Sequence, residues 1–193
     1  MSRASVRTLV RGAGHEEAQG PTRLALFAAL APLLLAAAIA YAQPNDRLEG
    51  RVVAVHDGDT ITILDRGERQ HRIRVAGIDA PEIGQPYGRA AKNALSARVY
   101  DRWVRVEVIK LDHYGRIVGK VTQTGRDVGR DQVEAGMAWW LRVFAEEQSR
   151  EDRLLYEEAE ARARESRRGL WRERKPVEPW LWRREHPRER AAR

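Results

Sequence analysis

The sequence predicts an α+β domain, a five-stranded β-barrel carrying three helices. Three observations predict it. Five short stretches between residues 51 and 121 carry Val and Ile, several of them alternating with charged residues, as half-buried strands do. One stretch of helical spacing falls between the third and fourth of these. Two further helical stretches come after the fifth, and no internal repeat interrupts the order.

Taken in turn, Arg51 to Leu64 places Val52, Val53, Val55, Ile61 and Ile63 around a His56-Asp57-Gly58-Asp59 centre, hence a strand, a bend at Gly58 and a second strand. Arg66-Gly67-Glu68 is a turn. His71 to Val75 then sets Ile73 and Val75 on one face and Arg72 and Arg74 on the other. Pro81 breaks the next segment, and Tyr87 to Tyr100 brings Ala91, Ala94, Leu95 and Arg98 onto a short helix. Trp103 to Ile109 alternates Val104, Val106 and Val108 with Arg105 and Glu107. After a turn at His113-Tyr114-Gly115, the fifth strand covers Ile117, Val118 and Val121. Asp127 to Ala135 reads as a helix stopped by Gly136, and Glu146 to Arg168 as a long charged helix stopped by Gly169. Three strands, a helix and two strands are compatible with the oligonucleotide/oligosaccharide-binding (OB) barrel.

The 193 residues leave room for one such domain with appendages. The absence of cysteine excludes a disulfide framework, a thiolate metal site and a cysteine nucleophile. Net charge is +7, nearly all the bases are arginine, and residues 162–193 hold 12 basic against five acidic groups. Residues 24–42 are uncharged and come after Arg3, Arg7, Arg11 and Arg23; they end in Ala40-Tyr41-Ala42 before Gln43. That is the pattern of a secretory signal. The alternative is an uncleaved membrane anchor, since nineteen residues at ~1.5 Å each nearly span a bilayer. Either way the remainder is expected to be secreted or periplasmic. The division is a leader over 1–42, a domain over 43–172, and a basic tail over 173–193 containing Pro176, Pro179 and Pro187. Trp180 and Trp182 suggest that this tail docks back onto the domain.

Groups that carry chemistry gather at strand ends. Asp57-Gly58-Asp59-Thr60 puts two carboxylates beside a glycine, and Asp79-Ala80-Pro81-Glu82 puts two more after the third strand. Hard oxygen ligands of this kind suit Ca²⁺ or Mg²⁺, and nothing soft enough to select zinc is present. Each motif alone is an ordinary acidic turn. The set gains meaning from Arg74, on the strand that delivers Asp79, and from Tyr114-Gly115-Arg116 at the later turn.

Together, Asp57-Gly58-Asp59-Thr60, then Arg74-Val75-Ala76-Gly77-Ile78-Asp79-Ala80-Pro81-Glu82, then Tyr114-Gly115-Arg116 resemble the staphylococcal nuclease (thermonuclease) family in order and spacing. Gly136-Met137-Ala138 and Gly169-Leu170-Trp171 agree with it as well, so the resemblance covers about residues 48–172. It implies an OB-type barrel with three helices and a Ca²⁺ ion held by Asp59, Asp79 and the main-chain carbonyl of Ala80, with Asp57 behind them. It implies that Glu82 orients or deprotonates the attacking water. Arg74 and Arg116 would grip the scissile phosphate, and Tyr114 would hydrogen-bond to it or its neighbour. The substrate would be DNA and/or RNA, cut to leave 3′-phosphates, and the enzyme is expected to act as a monomer.

The sequence departs from the founding pattern in three places. Ala80 stands for a threonine, which matters little because the carbonyl is the ligand. His113 stands for a lysine, and the segment after Glu82 is shorter and lacks a lysine-rich loop. The nucleotide-stacking tyrosine has no clear equivalent, with Trp139, Trp140 and Phe144 as candidates. The rival reading is a non-catalytic OB-fold module that binds nucleic acid. Members of that kind lose the acids or the arginines, whereas Asp59, Arg74, Asp79, Glu82 and Arg116 are all present here.

Overall fold

Arg47–Val55 (β1) and Thr60–Leu64 (β2) pair antiparallel on either side of the His56–Asp59 bend. They belong to a computed structural model that describes residues 47–187. The leader segment with residues 43–46, and the last six residues, lie outside the described residues. Gln70–Val75 (β3) returns antiparallel along β2, and Trp103–Leu111 (β5) and Ile117–Gln123 (β6) lie beyond β1, giving the order β3-β2-β1-β5-β6. A parallel pairing of β3 with β6, Ile73 opposite Ile117 and Arg74 opposite Val118, closes the five strands into a barrel. Register slips in β1 between Val52 and Ala54, and in β5 between Val108 and Lys110, supply the bends that closure needs.

The alternation works as expected: Val104 and Val106 point inward while Arg105 and Glu107 face water. Val52, Ile61, Ile63, Ile73 and Val121 are wholly inaccessible in the barrel interior. Gly88–Val99 (α1) plugs one end with Ala91, Leu95 and Val99, a stripe at four-residue spacing. Each large buried side chain contributes about 1.5–3 kcal/mol, and truncating Leu95 to alanine is expected to cost ~2–5 kcal/mol.

Two-residue strands complete the scaffold: Ile78–Asp79 (β4) pairs with Trp139–Trp140 (β8), and Arg126–Asp127 (β7) pairs with the end of β6. Val128–Glu134 (α2) is capped by Asp127, whose side chain accepts from the Arg130 N–H. The long helix expected over 146–168 is broken. A 3₁₀ segment occupies Arg142–Glu147, and Arg150–Glu165 (α3) starts afresh because the Ser149 side chain accepts from the Asp152 N–H. α3 ends at Glu165, four residues before Gly169, with Arg167 in the left-handed region at φ 48°. Beyond the three expected helices lies a fourth, Pro179–Glu185 (α4), in the tail. No helix among the described residues is long and apolar enough to cross a membrane.

Candidate active site

The acids converge because two tight contacts bring their loops together. Gly58 owes its place to lack of room: a Cβ there would lie 2.6 Å from the Ala80 Cβ and 2.7 Å from that of Ala91. The loop of Asp57 and Asp59 is thereby pressed onto the loop of Asp79, and Gln132 Nε2 donates to the Gly58 carbonyl at 2.9 Å. Gly88 plays the same part under Glu82, since a Cβ would sit 1.7 Å from the Glu82 carbonyl oxygen. The Gln85 side chain fixes the Glu82 main chain, accepting from its N–H at 3.1 Å.

Asp59 is buried and meets three donors, which leaves acceptor capacity on its carboxylate. One oxygen accepts from the Ala80 N–H at 2.8 Å; the other accepts from the Thr60 hydroxyl at 3.0 Å and faces Arg74 Nε at 3.2 Å. Asp57 stands behind it, accepting from the Asp59 N–H at 3.0 Å. Arg74 Nη1 donates to the carbonyls of Val75 (3.0 Å) and Ile78 (2.9 Å), and Nη2 donates to Asp79 Oδ1 at 2.9 Å. The guanidinium therefore locks Asp59 to Asp79, spending four of its five N–H groups on them and the two carbonyls.

Burial pushes the Asp59 carboxyl up to about 6, with Arg74 opposing and Asp57 adding to the rise. Burial also raises Asp79, against the pull of Arg74 and Arg183. Arg74 keeps its charge more firmly than usual: burial works against it, and Asp59, Asp79 and Asp57 outweigh burial. Two desolvated carboxylates side by side favour a further cation. Their donors are all hard oxygens, so the residues present fit Ca²⁺ or Mg²⁺. Among the described residues no three acidic or imidazole side chains form a complete cation site. The set implied by the resemblance is smaller, two carboxylates and the Ala80 carbonyl. In this structure a cation from the chain itself fills part of that role: Arg183 of α4 donates to both oxygens of Asp79, at 3.2 and 2.9 Å, and to Glu82 Oε1 at 2.9 Å.

Arg116 and Tyr114 line the same groove, which has a volume of about 1620 Å³. The β3–β6 pairing brings them there, because it sets the strand of Arg74 beside the start of β6. Asp112 holds the turn. Its Oδ1 accepts from the N–H groups of Tyr114 and Arg116, both at 2.9 Å, and its Oδ2 accepts from Arg116 Nε at 2.7 Å. Burial acts to raise the Asp112 carboxyl, but these bonds prevail and hold it below the usual range. Tyr114 stands out into solvent with the Arg116 guanidinium 5.3 Å from its ring centre.

Among the stacking candidates, Trp139 and Trp140 are only 8% exposed. Trp139 packs edge-on against Trp171, and Trp140 Nε1 donates to Gln148. Phe144 is the exposed one, under Lys110. Sequence reasoning passed over Asp112 and Arg183. The first has a signal, an Asp two residues before a turn tyrosine, the pattern of an Asx-turn. The second has none, because 104 residues separate Arg183 from Asp79.

Comparison with known proteins agrees with this geometry. Residues 72–173 match the family model described as staphylococcal nuclease homologue. A protein of Escherichia coli named an uncharacterized endonuclease is 42% identical over 137 residues, covering 70% of this chain and 85% of its own. A Haemophilus influenzae protein of the same name is 33% identical, covering 81% of this chain and 84% of its own. The micrococcal nuclease of Shigella flexneri is 37% identical, covering 70% and 80%. The Asp59–Asp79–Glu82 cluster, the two arginines and the closed barrel thus lie in a chain that belongs to the staphylococcal nuclease family and is a phosphodiester hydrolase.

Proposed function

We propose that the chain is a Ca²⁺-dependent nuclease, working outside the cytoplasm as a monomer, that hydrolyses DNA and/or RNA to leave 3′-phosphates. The observation that carries this reading is the Arg74-bridged pair Asp59 and Asp79 beside Glu82, in a groove that Arg116 and Tyr114 also line. Asp59, Asp79 and the Ala80 carbonyl would hold the ion, which supplies positive charge beside the phosphate. Glu82 accepts the proton of the water that attacks phosphorus, and the bond to the 5′ oxygen breaks, that oxygen leaving as the alcohol with a proton from solvent. Arg116 meets the charge that grows on the non-bridging oxygens. Arg74 keeps the two aspartates in place and turns its remaining N–H to the same phosphate. Tyr114 donates its hydroxyl to the phosphate or its neighbour. Recognition of phosphate and of base faces, without base edges, suits broad cleavage.

Export rests on the leader sequence, cleaved before Gln43. Purified residues 43–193 incubated with end-labelled single-stranded DNA, duplex DNA and RNA, with Ca²⁺ and with chelator, test the proposal. Cleavage of at least one substrate to 3′-phosphate ends, only with the ion, is expected. Products with 5′-phosphates, or equal cleavage in chelator, would overturn it.

A further inference from the structure

The tail reaches into the catalytic groove at its most acidic point. Arg183 engages both oxygens of Asp79 and one of Glu82, so it covers a proposed ion ligand and the proposed base together. A guanidinium about 3 Å from those oxygens and a divalent ion at the 2.3–2.6 Å that Ca²⁺ requires would place like charges side by side. The two cations therefore exclude one another at Asp79.

The tail helix is lightly buried, with Leu181, Trp182 and Arg183 half-buried. Within α4 only Pro179 is buried, and Trp180 is 51% exposed. The preceding 3₁₀ segment, Gly169–Arg172, is anchored by buried Leu170 and Trp171, so residues 173–178 can act as the hinge. Gln85 also ties tail to site: its Oε1 holds the Glu82 N–H, and its Nε2 donates to the Val177 carbonyl at 2.6 Å. The Arg183 side chain is 34% exposed, so its ion pairs are partly screened and exchangeable.

We propose that α4 is an intramolecular plug whose Arg183 competes with a divalent cation for Asp79 and Glu82, so that cation binding and release of the tail are coupled. The proposal rests on the reading of Asp79 as a cation ligand. Coupling of this kind is reciprocal: the plug lowers affinity for the ion, and the ion loosens the plug by the same factor. The same step withdraws Arg183 from Glu82 as the ion takes its place.

The test is calorimetric titration of Ca²⁺ into the full chain and into its Arg183→Ala variant, with hydrogen exchange of residues 177–187 in the parent with and without Ca²⁺. The variant is expected to bind Ca²⁺ at least about tenfold more tightly, because three charge-assisted contacts of Arg183 leave the competition and one alone corresponds to roughly that factor. In the parent, exchange in α4 should speed up with Ca²⁺ while the barrel slows. Equal or weaker affinity in the variant overturns the plug and leaves the metal site standing, as does an α4 more protected when Ca²⁺ is bound. Binding by neither protein overturns both.

Discussion

Asp112→Asn separates holding the turn from aiming the arginine. Asparagine keeps Oδ1, and with it the bonds from the Tyr114 and Arg116 N–H groups. The second oxygen becomes an NH₂ group facing Arg116 Nε, so an attractive 2.7 Å contact becomes donor against donor. The lost bond is charge-assisted and partly buried, with side chains 23% and 13% exposed, which puts it at roughly 1.5–3 kcal/mol. If Asp112 presents Arg116 to the phosphate, the loss shows as a fall of about 10- to 100-fold in kcat, with melting lowered by only a few degrees. The stability difference should also depend on pH. Asp112 has a folded pKa below its unfolded one, so its contribution is present above about pH 4 and fades as pH falls further, and parent and variant should converge in acid. The assay is steady-state cleavage of labelled single-stranded DNA by the parent, Asp112→Asn, Arg116→Ala and the double variant. Arg116→Ala should lose on the order of 10²–10³ in rate, and the double variant should lose no more. Parental turnover in Asp112→Asn, or fully additive losses, would refute the reasoning.

The geometry sets two further outcomes. Arg74→Lys keeps the charge but cannot span Asp59, Asp79 and two carbonyls at once, so its rate should fall nearly as far as that of Arg74→Ala, and its melting temperature should drop too; near-normal turnover and melting would assign Arg74 to bulk charge. Gly88→Ala drives a methyl group into the Glu82 carbonyl, so it should cost several-fold more activity than Gly125→Ala, an exposed change that meets nothing within 4 Å and carries only the backbone strain of φ 79°; kinetics and melting curves of the pair check this, and equal activity would show that α1 does not position Glu82.

Much of the fold is written in local pattern. The valines of β5 and the Ile73–Val75 face of β3 declare their strands because only one side of each is buried. The α3 break is harder to see: helical periodicity runs through Gln148 and Ser149, and the N-cap at Ser149 decides the boundary. The residues of the site are legible as a motif, yet their geometry is not. That Arg74 spends most of its donors on Asp59, Asp79 and main-chain carbonyls depends on how β3 and β4 bend around it. Arg183 is invisible in sequence because charge complementarity across a folded groove leaves no periodicity. The burial of Trp139 and Trp140 likewise comes from two-residue pairing with Ile78 and Asp79, too short to announce itself.

The central claim is that Glu82 serves as base beside a cation held by Asp59 and Asp79. Its most direct test is the initial rate of single-stranded DNA cleavage by the parent and by Glu82→Gln, each in millimolar Ca²⁺ and in chelator. The account predicts activity only for the parent with Ca²⁺, and a loss on the order of 10²–10⁴ in Glu82→Gln, whose fold is unchanged by melting. Full activity of Glu82→Gln, or of the parent in chelator, would contradict it.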